Sequence, residues 1–137
     1  MKTALFLVIL AAAMISCGER QATVPNPEVQ GQLWLSKARM ALSNSDFVAA
    51  RSCIDSLRSR CAEALNAREH GILLLDSIEL AEAHRQLADA QKAAAQQGLD
   101  IYARDSADTH LDRMVTKVRF FEKKLEHDIA GFSHHEQ

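Results

Sequence analysis

Five apolar residues, Phe47, Ala50, Ile54, Leu57 and Cys61, follow one another at alternating intervals of three and four. That spacing predicts a helix with a narrow apolar stripe, suited to packing lengthwise on another helix. Upstream, Leu33, Trp34, Ala38, Ala41 and Leu42 also recur at helical spacing, within residues 27–44. Asn26-Pro27-Glu28 supplies an N-cap, a first-turn proline and an acid for the start of that first helix. Trp34 is expected to be its largest core residue. Ser43, Asn44, Ser45 and Asp46 then offer turn and N-cap chemistry between the two helices.

The phase of the pattern shifts after Arg58. The stripe through Cys61 and Ala64 would run on to Arg68 and Gly71, but the apolar residues gather instead at Ile72, Leu73, Leu74, Leu75 and Ile78. A bend near residues 59–62, between Ser59 and Ala62, accounts for this. The alternative is one uninterrupted helix over residues 46–97, about 78 Å long. A third helix is expected to reach Gln97, with Gly98 as its stop and a seam of Leu80, Ala83, Leu87, Ala90 and Ala94. A loop from Gly98 leads to a fourth helix capped by Ser106 or Asp108, with its seam at Leu111, Met114, Val118, Phe121 and Leu125. Arg113, Lys117, Glu122 and Lys123 are expected on its outer face. The fold predicted is all-α, with four helices: an N-terminal helical hairpin, then a long antiparallel coiled-coil-like hairpin.

The N-terminal end reads differently. Lys2 precedes an apolar run of roughly 12 residues, where about 20 are needed to cross a bilayer. This is the pattern of an export signal rather than of a membrane span. The run ends in Met14-Ile15-Ser16-Cys17, which resembles the lipobox of bacterial lipoproteins. The resemblance implies that the Cys17 thiol receives a diacylglyceryl group and that cleavage before it makes Cys17 the new N-terminus. Two or three acyl chains hold a protein to a membrane durably, where one does so only marginally. In enterobacterial lipoproteins an Asp after the cysteine retains the protein in the inner membrane; here Gly18 follows, so the outer membrane is expected. Surface-exported lipoproteins of Bacteroides-like bacteria, whose small helical members the chain also resembles, often carry an acidic cluster there. Glu19 is followed at once by Arg20, which favours the periplasmic face. The expected organisation is a signal at residues 1–16, a lipid-anchored tether at 17–26, a helical domain at 27–130 and a flexible tail at 131–137.

Trp34, Ala38, Asp46-Phe47 and Ala50 resemble the large, small, turn and small positions of a single tetratricopeptide repeat. Ala41, Lys37 and Ala62 stand where that repeat usually has tyrosine, leucine and proline. A generic helical hairpin accounts for the same residues equally well.

Composition narrows the chemistry. Aromatic residues make up 5% of the chain, so the core must be built from Leu, Ile and Ala. The formal net charge is −2 and no stretch is strongly basic, so nucleic acid is not an expected partner. A helical di-metal site places Glu three residues before His. The positions before His70, His84, His110 and His127 hold Ala67, Ala81, Ala107 and Lys124, so neither a metal site nor a cofactor is expected. His134 and His135 fall in the tail. There is no HExxH, GxSxG or phosphate-binding glycine loop, and catalytic residues are not expected. Asp76, Glu79 and Glu82 read as a solvated helix face. On one straight helix Cys53 and Cys61 would lie about 12 Å apart, beyond the roughly 7 Å a disulfide tolerates. A bend brings them closer, so free thiols, an intramolecular bond and an intermolecular bond all remain open.

The expected function is that of a non-enzymatic, membrane-anchored envelope lipoprotein acting as a protein-interaction or spacer module, with a protein partner or self-association. The alternative is a tetratricopeptide-like adaptor subunit of a larger envelope complex.

Overall fold

The computed structural model describes residues 26–133. The signal (1–16), Cys17, nearly all of the tether and the tail histidines His134 and His135 lie outside the described residues. Among the described residues there are four helices and no strand: α1 (Pro27–Ser43), α2 (Phe47–Arg60), α3 (Leu65–Ala94) and α4 (Ile101–Ser133).

α1 begins as its sequence dictates, with the Asn26 side chain accepting from the Glu28 N–H at 2.9 Å. Its inward face includes the expected Ala38, with Trp34, Ala41 and Leu42 packed at its edge, but is turned toward Gly31 and Leu35. Gly31, Leu35 and Ala38 are buried, whereas Leu33 is 49% exposed. Trp34 is only half-buried at the edge of the core. Lys37 and Arg60 cover its ring, at 4.5 and 5.5 Å from the centroid. The largest fully buried side chains are instead Leu35, Ile54, Leu57 and Ile78. Gly31 is where α1 meets α3. A Cβ there would lie 2.6 Å from the Ala67 Cβ and 2.9 Å from the Ala64 Cβ, so only glycine allows this approach.

Ser45, at φ 59°, reverses the chain, and the Asp46 side chain caps α2 by accepting from the Ala49 N–H at 2.9 Å. All five stripe residues of α2 are buried, from Phe47 to the C-cap residue Cys61. The helix then ends, and Cys61 to Ala64 form a turn before α3. The phase shift therefore marks a break, slightly beyond the expected bend, and the uninterrupted helix does not occur. Cys53 and Cys61 are free thiols, Cys61 buried and Cys53 half-buried.

α3 has 30 residues and α4 has 33, so each is about 45–50 Å long. α3 stops at Ala94, three residues before Gln97, and Gly98 takes φ +81° in the connecting turn. α4 starts earlier than expected. Asp100, rather than Ser106 or Asp108, caps it by accepting from the Ala103 N–H at 2.8 Å, which puts residues 101–108 inside the helix. Its C-terminal end includes residues 131–133, where the sequence pattern placed the start of the tail. The expected seam is correct in its face but shallower than a core. Val118 is buried, while Leu111, Met114, Phe121 and Leu125 are half-buried.

The first three helices share one core: Leu35 and Ala38 from α1, Phe47, Ala50, Ile54 and Leu57 from α2, and Ala67, Leu74 and Ile78 from α3, closed by Cys61 and Ala64. α4 packs along α3 and on neither α1 nor α2. The long α3 thus serves two neighbours, the α1/α2 pair and α4.

Candidate functional site

Cys17, the residue at which the lipobox resemblance implies acylation, lies outside the described residues. What the helices do assemble are two charged clusters and two apolar surfaces.

The first cluster joins α2 to α3. Arg51 follows Ala50 on the edge of the α2 stripe, and its Nε donates to Glu79 Oε1 at 2.7 Å. Its Nη2 donates to Glu82 Oε2. The bond to Glu79 is the main cause of a raised Arg51 pKa, with Glu82 adding to it against the cost of partial burial. Glu82 also lies 3.9 Å from Arg85, and the Arg85 guanidinium stacks 4.6 Å above the Phe47 ring.

The second cluster joins α3 to α4. Asp76 is 3% exposed, an unusual burial for a carboxylate. Its Oδ1 accepts from Lys124 Nζ at 2.5 Å, and the same ammonium reaches Asp128 Oδ2 at 2.9 Å. Asp76 Oδ2 is buried without a hydrogen-bond partner. Desolvation pushes the Asp76 pKa up despite Lys124. Asp128, more open to water, is held well below the usual carboxylate range by Lys124 and then by His127. Lys124 is raised by Asp76 first and Asp128 second. Ten residues further along α3, Lys117 Nζ donates to Gln86 Oε1 at 2.9 Å, so Lys117 is an interhelix contact rather than part of the outer face.

Asp76, Glu79 and Glu82 are therefore not a solvated face: each is partnered to a cation on another helix. The sequence did hold a signal for Asp76, which sits between Leu75 and Ile78 in the densest apolar stretch of α3. Chemically, the two clusters tie helices together. A small open recess of about 290 Å³, lined by Ile72, His127, Asp128, Gly131 and Phe132, reaches the second cluster, and among the described residues no three His, Cys, Asp or Glu side chains are grouped as metal ligands.

The apolar surfaces face outward. On α1, Val29, Leu33 and Met40 are 63%, 49% and 65% exposed. On α4, Ile101, Tyr102 and Phe120 are exposed, and Phe120 meets Phe121 edge to face at 5.2 Å. A shallow open groove along α4 is lined by Thr109, Arg113, Thr116, Lys117 and these two phenylalanines. Among the described residues no helix is long and apolar enough to cross a membrane. No protein-family model, curated protein or solved structure matches the chain.

Proposed function

We propose that this protein is a lipid-anchored helical module of the bacterial cell envelope, held to the outer membrane through an acylated Cys17. In this reading it works on the periplasmic face without catalysis, by binding or spacing other envelope components. The observation that carries the reading is Met14-Ile15-Ser16-Cys17 directly after an apolar run too short to span a bilayer. Two features of the helices support it. The α3/α4 hairpin gives a rod of about 45 Å that reaches beyond the three-helix core, and its α4 keeps an outward face free for a partner. The charged side chains nearest to forming a site, Asp76, Glu79, Glu82, Arg51 and Lys124, are engaged in bridging helices.

Cys17→Ala moves the protein from the membrane fraction to the soluble envelope fraction, and the intact mass of the wild-type chain shows an acylated N-terminal Cys17. An unmodified mature chain beginning at another residue contradicts the reading.

A second reading, an adaptor with a tetratricopeptide-like hairpin, is favoured by one observation: Ala38 and Ala50 are both fully buried where α1 and α2 share their core. Small side chains there allow the close helix approach such hairpins need. Recovery of one stoichiometric envelope partner that is lost on changing α1 or α2 surface residues, and kept on changing α4, supports the adaptor over the spacer.

A further inference from the structure

α1 is apolar on two opposite sides. Gly31, Leu35 and Ala38 point into the core, and Val29, Leu33 and Met40 stand on the far side, each about half-exposed or more. At about 100° per residue the latter three fall within roughly 40° of one another, a single stripe rather than scattered exposure. We propose that this outward stripe of α1 lies against the lipid surface that carries the Cys17 anchor, so that the membrane, and not a protein, covers it. The inference rests on the anchored reading above and adds an orientation to it.

Three observations select a lipid surface. Cys17 and Asn26 are nine residues apart, so even a fully extended chain lets α1 begin no more than about 32 Å from the anchor. With 17 residues, α1 is about 25 Å long, and lying flat it brings the whole stripe to the surface. The second observation is charge. Residues 29–45 contain no Asp or Glu, and Lys37 and Arg39 flank the stripe on its two sides. Apolar side chains between cations whose stems reach along the surface suit the boundary of a bilayer with anionic headgroups. The third is asymmetry along the chain. Residues 27–60 hold five basic side chains (Lys37, Arg39, Arg51, Arg58, Arg60) against three acidic ones (Glu28, Asp46, Asp55). Residues 61–133 hold nine basic and thirteen acidic. Counted with the part of α3 that packs in the same core, residues 27–78 hold six basic and six acidic side chains and residues 79–133 eight and ten, so an anionic surface repels the hairpin but not the end that carries α1.

Trp34 is the only tryptophan and lies on α1, so it reports the position of this helix. The full chain, purified with its native anchor, is reconstituted in phosphatidylethanolamine vesicles containing phosphatidylglycerol, with or without lipids brominated near the headgroup. The expected result is bromine quenching of Trp34. Quenching is lost in the triple variant Val29→Ser, Leu33→Ser, Met40→Ser, while the protein still floats with the vesicles and melts as the wild type does. Arg39→Glu, with the stripe intact, weakens quenching on these vesicles but not on uncharged phosphatidylcholine. A wild-type chain that floats with Trp34 unquenched overturns the proposal and leaves the anchor standing. So does equal quenching in the triple variant. Cross-links joining two copies through α1 without quenching would assign the stripe to a second copy and overturn it as well. A wild-type chain that fails to float overturns the anchor reading and this one together.

Discussion

The three-helix end and the α3/α4 hairpin are stabilised in different ways. At the first end Leu35, Ala38, Ala50, Ile54, Leu57, Ala64, Ala67 and Ile78 are all completely buried. Along the hairpin beyond Ile78, only Ala83, Ala90 and Val118 are buried. The rest of that seam is half-exposed Leu, Met and Phe, supplemented by Lys124 between Asp76 and Asp128 and by Lys117 on Gln86. Two helices alone enclose small seam residues but leave one flank of most large ones in water; a third helix closes that flank. The contrast teaches that the fold is held mainly at its N-terminal end. α4 is an arm docked on α3 by a shallow apolar seam and polar bridges.

The largest expected effect comes from the buried end. Leu57 touches α1 and α3 at once and is fully buried, so Leu57→Ala costs about 2–5 kcal/mol, read as a lower urea midpoint for the whole protein. Next is Gly31→Ala. Its methyl would meet the Ala67 and Ala64 Cβ atoms inside normal contact distance, and forcing α1 off α3 costs about 1–3 kcal/mol.

On the hairpin the same kinds of change count for less. Phe121 heads the α4 seam but is only half-buried, and Phe121→Ala costs about 1–2 kcal/mol, short of what a fully enclosed phenylalanine would lose. An effect as large as that of Leu57→Ala would erase the contrast. An effect of Phe121→Ala that grows on dilution would place a second chain on α4.

Lys124→Met costs a comparable amount, about 1–3 kcal/mol, because it leaves the buried Asp76 carboxylate without its cation. Adding Asp76→Leu restores most of the loss, since an apolar pair of similar size replaces the bridge. The pH dependence sharpens this. The pKa of Lys124 is raised above its ordinary 10.5, so its contribution is complete below that value and disappears as pH rises through the raised one. Wild-type docking of α4 therefore weakens in alkali more than that of Lys124→Met. On the acid side the two carboxylates oppose each other. Asp76, raised by burial, favours the folded state as it protonates below its raised pKa. Asp128, lowered by Lys124, gives stability that is lost as pH falls below the ordinary 3.8.

How much of this could be read in the sequence depended on whether the deciding contacts were local. The α2 stripe was fully legible, because one helix face meets one core and period alone identifies it. On α1 the pattern identifies Ala38, Ala41 and Leu42, but the helix carries apolar residues on two sides, and size points to Leu33 and Trp34 where closeness of packing selects Gly31 and Leu35. The start of α4 is hidden by Ser106 and Asp108, good capping residues that lie inside the helix, while Asp100 does the capping. The bridges were not legible at all. Arg51 lies 28 residues from Glu79, and Lys124 lies 48 from Asp76. Nothing in the local pattern of Asp76, Glu79 and Glu82 says which cations arrive from other helices.

Native-state hydrogen exchange of the full chain tests the central contrast most directly, since it reports a separate opening free energy for each helix. The account predicts that amides in α2 and in residues 67–78 of α3 exchange only through global unfolding. Amides of α4 should exchange through a lower-energy opening that releases α4 from α3, made easier by Lys124→Met and by Phe121→Ala. Equal protection across α2 and α4, with both variants lowering it everywhere alike, would show one cooperative unit and contradict the docked arm.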